Sequence, residues 1–174
     1  PYNHGLDCKF IEIIEAGHPV PDLAGQVGAQ RIFDLACSLG PDDLLLCLLS
    51  GGGSSLLSLP LPGISLEQKQ SITSQLLVCG APIHEINTVR KHLSSIKGGR
   101  LAQAAYPART ESLLISDVPG DDPATIASGP TTGDPTTTDQ TMAILAKYAI
   151  QLPKAVDAVL RARASESPSP GHVH

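Results

Sequence analysis

Ser50-Gly51-Gly52-Gly53-Ser54-Ser55 sets three successive glycines between hydroxyl side chains. Glycine has no Cβ and takes left-handed dihedrals freely, so such a loop can bring its backbone amides close to a ligand. Those amides and the flanking hydroxyls suit an anion such as a phosphate or a carboxylate. The loop lacks the Gly-Lys-Ser/Thr ending of a Walker A motif and the glycine spacing of a dinucleotide fingerprint. It therefore reads as a general anion loop, with a plain strand-to-helix connection as the alternative.

A second group of chemical residues lies in the stretch Asn87 to Arg100. On a helix Asn87, Arg90, Lys91 and Ser94 recur at i, i+3, i+4 and i+7 and share one face, opposite a stripe of Val89, Leu93 and Ile96. With Lys97 and Arg100 they concentrate positive charge in a chain whose formal charge is −5. Arginine offers a bidentate fork to carboxylate or phosphate, and lysine a point charge. A solvated helix face is the alternative. The third group is Ser116-Asp117-Val118-Pro119-Gly120-Asp121-Asp122, with Asp134 beyond it. Its carboxylates repel one another unless a cation or basic groups neutralise them, and magnesium is satisfied by one or two carboxylates plus substrate phosphates. A turn whose carboxylates cap backbone amides is the competing account. His18, between Gly17 and Pro19, is either a general base or a structural hydrogen bonder. Nothing in the sequence places a base beside Ser54 or Ser116, so no Ser-His-Asp grouping is legible.

These groups must be positioned by an α/β scaffold. Phe10 to Ile14 and Leu44 to Leu49 are short apolar runs that read as strands. Between them Asp22 is a natural N-cap for a helix from about Leu23 to Leu39, ended by Gly40-Pro41. Strand, helix and strand in succession predict a right-handed crossover in a parallel sheet. Ser65 and Gln68 have capping-box spacing and predict a helix to Gly80. Further helices are expected from about Glu85 to Ile96, Arg100 to Ala105, Thr141 to Tyr148 and Lys154 to Arg163, with a strand at Leu113 to Ile115. Asp117 to Thr138 is a long proline- and glycine-bearing loop, and loops of that length are commonly functional. Loops at the carboxyl ends of parallel strands are where open α/β sheets bind ligands. Ser50–Ser55 and Asp117–Thr138 both have that placement.

Composition narrows the function classes. A chain of 174 residues is consistent with one domain. The negative charge argues against nucleic acid as a partner, and aromatics at 3% leave few platforms for stacking bases. No apolar run approaches the roughly 20 residues that span a bilayer, and no signal peptide opens the sequence. Cys8, Cys37, Cys47 and Cys79 show no paired spacing and read as reduced core residues of a cytoplasmic protein. The first residue is Pro1, so the sequence is expected to begin inside a longer protein. Residues 164–174, with Ser-Pro repeats, are expected to be a linker or disordered tail.

Taken together, these stretches resemble the MOFRL-type (class II) glycerate 2-kinase family, whose members are often labelled hydroxypyruvate reductase. The matching segments are Glu15 to Asp22, Ser50 to Leu57, Asn87 to Ala102, Ile115 to Asp122 and Ile126 to Pro130, in the family's order and spacing. The resemblance runs from about Ile11 to Leu160. It implies a Rossmann-like α/β/α domain with a mainly parallel sheet, of which residues 1–163 are an internal part. It also implies ATP-dependent phosphorylation of the 2-hydroxyl of D-glycerate with Mg2+, giving 2-phosphoglycerate. The family's lysine-bearing upstream segment and its smaller C-terminal domain, with an active-site arginine, lie outside this sequence, and a homodimer is compatible with the resemblance. On these positions it implies that Ser50, Gly51, Gly52, Gly53, Ser54, Asn87 and Lys91 bind substrate or phosphate. Arg90, Lys97 and Asp117 are the implied catalytic residues, and Asp117 and Asp121 would hold the metal or orient the hydroxyl nucleophile. An NAD(P)H-dependent hydroxypyruvate reductase and a noncatalytic ligand-binding fragment are the alternatives.

Overall fold

Six apolar residues in a row make β1, Leu44–Leu49, and it pairs in parallel with β2, Arg109–Leu114, with Leu44 opposite Arg109 and Leu49 opposite Leu114. The computed structural model describes residues 1–116 and 118–171. Strand side chains alternate between faces, so Leu45, Cys47 and Leu49 turn toward α1 (Leu23–Cys37) and α5 (Arg100–Ala105), while Leu44, Leu46 and Leu48 are exposed. The covered face forms one core with Ala29, Ala36, Leu59, Ile96, Leu101 and Ala105. Alanines at these helix positions let the helices lie close to the sheet. This is the α/β class expected, with a parallel sheet.

The expected first strand is absent. Phe10 to Ile14 has no ladder partner among the described residues and Phe10 is 89% exposed. A strand exists only where a neighbour receives its amides and carbonyls, and β1 is paired with β2, which arrives through α2 to α5. Ile14 instead rests on α1 at Gly28, where an added Cβ would lie 3.3 Å from Ile14 Cγ2. The predicted crossover from Phe10–Ile14 to β1 is therefore replaced by one from β1 to β2.

A second core joins α3 (Leu66–Val78), α4 (Ile83–His92), α6 (Thr138–Lys147) and α7 (Lys154–Arg161) around Ile72, Leu76, Val89, Leu145, Val156 and Leu160. The Ser65–Gln68 capping box forms: Gln68 N donates to Ser65 Oγ at 3.2 Å and Ser65 N to Gln68 Oε1 at 2.9 Å. Thr137 and Gln140 repeat the motif and start α6 earlier than its apolar spacing predicts. Helix α4 stops at His92 rather than Ile96 because the chain turns aside to pair with residues 59–61: Ser95 N donates to Leu59 O at 2.8 Å and Leu61 N to Leu93 O at 3.3 Å.

Two composition-based expectations are corrected. Among the four cysteines only Cys47 is buried, because Cys8, Cys37 and Cys79 fall in a surface segment and at helix ends. In the expected tail Ser165 and Ser167 are buried, while Glu166 between them is exposed. Ser165 is fully buried, it bonds Thr138 Oγ1 at 2.9 Å, and Asp134 N donates to Pro168 O at 2.8 Å. Among the described residues no helix is long and apolar enough to cross a membrane.

Candidate functional site

Strand β1 delivers the chain into the glycine loop, where Gly52 turns it with φ +80° into the one-turn helix α2, Gly53–Leu56. The opposite wall is the segment from Ile126 to Pro130, which opens with the 3-10 turn Ile126–Ser128 and in which Ala127, Ser128 and Gly129 have φ of 51°, 62° and 58°. The walls touch: a Cβ on Gly53 would lie 2.9 Å from Ala127 Cβ, and the Ser54 and Ser128 hydroxyls stand 2.5 Å apart. The second wall is pinned from behind by the Gly98-Gly99 turn. Gly98 N donates to Ser128 O at 3.1 Å, Gly99 N to Gly129 O at 2.8 Å, and Leu101 N to Pro130 O at 3.0 Å. Three motifs far apart in sequence thus form one knot. His18 is exposed beside it, its Nε2 3.2 Å from where a Gly52 Cβ would be. Ser50 and Gly51 are exposed at the lip.

The basic cluster divides. Arg90 donates from Nη2 to Ser54 O at 3.1 Å and joins α4 to the glycine loop. Lys97 is fully buried and its Nζ donates to Ala127 O at 3.2 Å, under the second wall. Burial, then the charges of Lys69 and Arg90, push its amine well below the ordinary lysine range. Lys91 does not face the loop. It is buried and bonded to Asp134 Oδ1 at 2.6 Å, so in this structure the residue expected to bind phosphate is paired with a carboxylate of the expected acidic group. Arg100 is likewise structural, donating to the Lys91, Lys97 and Ser165 carbonyls. The polar face of α4 is therefore largely an interior face. Asn87 lies half-buried one turn before Arg90.

Asp117 lies outside the described residues. Asp121 is exposed, with φ +52°, and Asp122 caps its own turn, accepting from Ala124 N at 3.0 Å and Thr125 Oγ1 at 2.8 Å. Among the described residues no three His, Cys, Asp or Glu side chains come close enough to hold a metal ion.

One cation near the site has no counterpart among the sequence candidates. Lys69 of α3 is 5% exposed, and its Nζ meets no hydrogen-bond acceptor among the described residues. It lines a cavity of about 240 Å³ that also reaches Ser54 and Arg90. Its signal in the sequence is its register, since Leu66, Lys69, Ile72 and Leu76 occupy one apolar helix stripe. Burial, then Arg90 and Arg100, lower its pKa to about 7. Because the unfolded value is about 10.4, the unfolded chain holds a proton between these limits that the folded chain has released, so Lys69 makes stability rise with pH from about 7 toward 10. Lys69→Met should unfold at higher urea than the wild type at pH 7. The gap should narrow by up to about 1.4 kcal/mol per pH unit as pH rises to 10; a constant gap would contradict the assignment.

Residues 1–161 match a family described as "Domain of unknown function (DUF4147)". A protein of Agrobacterium vitis named "Putative hydroxypyruvate reductase" is 53% identical over 172 residues, covering 99% of this chain and 39% of that protein. A D-glycerate 2-kinase of Thermotoga maritima is 51% identical over 145 residues, covering 83% of this chain and 35% of that protein. The crystal structure of a glycerate kinase from Thermotoga maritima superposes with a TM-score of 0.91 at 46% identity, covering 99% of this chain and 42% of that one. The chain thus spans well under half the length of these curated relatives.

Proposed function

This chain belongs to the DUF4147 family, and from that premise we propose that it forms part of an ATP-dependent glycerate 2-kinase, phosphorylating the 2-hydroxyl of D-glycerate. The observation that carries the reading is the meeting of the glycine loop, the Ile126–Pro130 wall and Arg90 in one place. It is supported by the kinase names of the Thermotoga maritima relatives.

Phosphoryl transfer is mostly positioning and charge neutralisation. The loop fits an anion held by backbone, because a Cβ at Gly53 has no room and Gly52 is left-handed. In this proposal the amides and hydroxyls of Ser50 to Ser54 receive phosphate or the glycerate carboxylate. Arg90, held by the Ser54 carbonyl, adds positive charge at the loop. Asn87 is assigned to the substrate side of the same helix. Lys97 is a positioning residue that fixes the Ala127 carbonyl and with it the second wall. His18 is placed to contact a ligand on the loop. Mg2+-ATP, when bound, supplies the phosphoryl group and a neutralising cation. Asp121, as an exposed carboxylate, and Asp117 are the residues assigned to the metal or to the substrate hydroxyl. Residues 1–163 are read as part of the larger domain, with the facing side of the cleft supplied by a further domain.

The reductase name of the Agrobacterium vitis relative sets the competing reading. The full-length protein should form ADP with D-glycerate and should not oxidise NADH with hydroxypyruvate. Turnover only in the second assay would overturn the kinase reading.

A further inference from the structure

Between α3, α4 and the Pro19–Pro21 turn lies the cavity of about 240 Å³ that Lys69 enters. Its polar groups come from separate elements. Lys69 Nζ and Ser58 Oγ are both buried and meet no hydrogen-bond partner among the described residues, Arg90 is bonded to Ser54 O through one of its five N–H donors, and Ser54, Gln70 and Thr73 complete the polar lining. Side chains such as Val20, Leu66, Leu77 and Ile86 make up much of the remaining wall, and none of the lining residues is Asp or Glu. Burying a cation without a partner is costly, so a pocket with two cations, an unpaired hydroxyl and no acid has the charge pattern of an anion site. The volume is below the roughly 300–1,000 Å³ of pockets for drug-sized ligands, and the wall favours a hydrocarbon body.

We propose that this cavity is a second ligand site, adjoining the glycine-loop site and sharing Ser54 and Arg90 with it, that takes a small carboxylic acid with an apolar body, its carboxylate received by Lys69, Arg90 and Ser58. The site stands on the cavity and does not depend on the kinase reading. The titratable groups facing Lys69 are Arg90 on α4, Lys97 in the turn after it and Arg100 on α5, all basic, with the Lys97 amine itself pushed well below the ordinary lysine range by burial. An arriving carboxylate therefore restores the proton on Lys69, whose amine burial holds near 7.

The test is calorimetric titration of the full-length protein, without nucleotide or glycerate, using hexanoate, hexanamide and inorganic phosphate at pH 7. Hexanoate should bind at least tenfold more tightly than either of the others, with a heat that changes between buffers of different ionisation enthalpy because a proton is taken up. Lys69→Met should weaken hexanoate at least tenfold. Equal affinity for hexanamide would overturn the carboxylate, equal affinity for phosphate would overturn the apolar body, and unchanged affinity in Lys69→Met would overturn the site. The acid and amide arms need no variant. Displacement of hexanoate by glycerate would show one site and sink the second, whatever the ADP assay returns.

Discussion

Replacing Gly53 with alanine is expected to lower kcat/KM for glycerate phosphorylation about a hundredfold in the full-length protein, with the fold retained. The new Cβ would meet Ala127 Cβ at 2.9 Å, whereas carbon atoms pack at about 3.5–4.0 Å. The two walls must then part by up to about 1 Å, and a displacement of that size in a positioning site costs about 10²-fold in rate. Ala127 cannot retreat by rotating a side chain. Its neighbours are tied to Gly98 and Gly99 by backbone bonds, and Lys97 holds its carbonyl. Gly52→Val should also abolish ligand binding by a different route. At φ +80° a residue with a side chain costs about 1–2 kcal/mol, and relieving that strain re-aims the loop amides. The ring of His18, 3.2 Å away, can swing clear, so the loss comes from the backbone rather than a clash. Gly80→Ala is the control, because Gly80 also has positive φ, +71°, but an added Cβ meets nothing within 4 Å. It should lower stability by about 1 kcal/mol and leave activity unchanged. If Gly53→Ala resembled the control in kcat/KM, the loop would be only a turn.

What could be read from the sequence was what is decided locally. Ser65 and Gln68 satisfy each other across one helical turn, so their spacing alone fixes the start of α3. Leu44–Leu49 was legible as a strand because it is an unbroken run of six apolar residues, but only Cys47 of the run is buried, and Leu44, Leu46 and Leu48 stand exposed on the other face. Phe10 to Ile14 is also apolar apart from Glu12 but has no ladder partner among the described residues, and pairing is a property of the neighbour rather than of the segment. Asn87, Arg90 and Lys91 of the expected polar face do fall on α4, while Ser94 lies beyond its end, and the fate of Lys91 depends on Asp134, a partner far along the chain that no periodicity names. The walls of the site were legible as motifs, since glycines and hydroxyls declare a close approach, but their contact through Gly53 and Ala127 is tertiary. Lys69 was missed because a lysine beside glutamines reads as solvated unless its place on the Leu66–Ile72–Leu76 stripe is weighed above its charge.

Asp134→Ala is expected to destabilise the protein by about 3–5 kcal/mol, the usual cost of leaving one member of a buried ion pair alone. The carboxylate is fully buried, and its Oδ1 accepts from Lys91 Nζ at 2.6 Å, Thr136 Oγ1 at 2.7 Å and Thr136 N at 3.0 Å. Removing it leaves the Lys91 ammonium, itself 8% exposed, without a counter-charge. Lys91→Met with Asp134→Leu should recover much of the loss, because both charges then leave the interior together. The pair also contributes to the acid limit. Burial alone would raise the Asp134 pKa, but the bonds from Lys91 and Thr136 outweigh it and hold the group below its ordinary value. A carboxylate lowered on folding stabilises above its unfolded pKa of about 3.9 and loses that contribution as pH falls through the folded value. His92, 3.7 Å from Asp134 Oδ2, has its pKa lowered by burial, so the unfolded chain takes up its proton first as pH falls below about 6.5. Urea midpoints of the wild type should therefore fall in two stages on acidification, the second below about pH 4, and the second stage should be smaller in the double variant, where only the other carboxylates lowered on folding, such as Asp22 and Glu85, remain. The effect reaches the site through geometry. Asp134 anchors the buried side of α4 and lies against Gly98, where a Cβ would come within 3.3 Å of its own, and α4 and the Gly98 turn are what hold Arg90 and the Ile126–Pro130 wall around the glycine loop. Loss of activity in Asp134→Ala should thus appear at lower temperature than in the wild type and follow its melting curve, whereas Gly53→Ala should be impaired at every temperature at which it is folded.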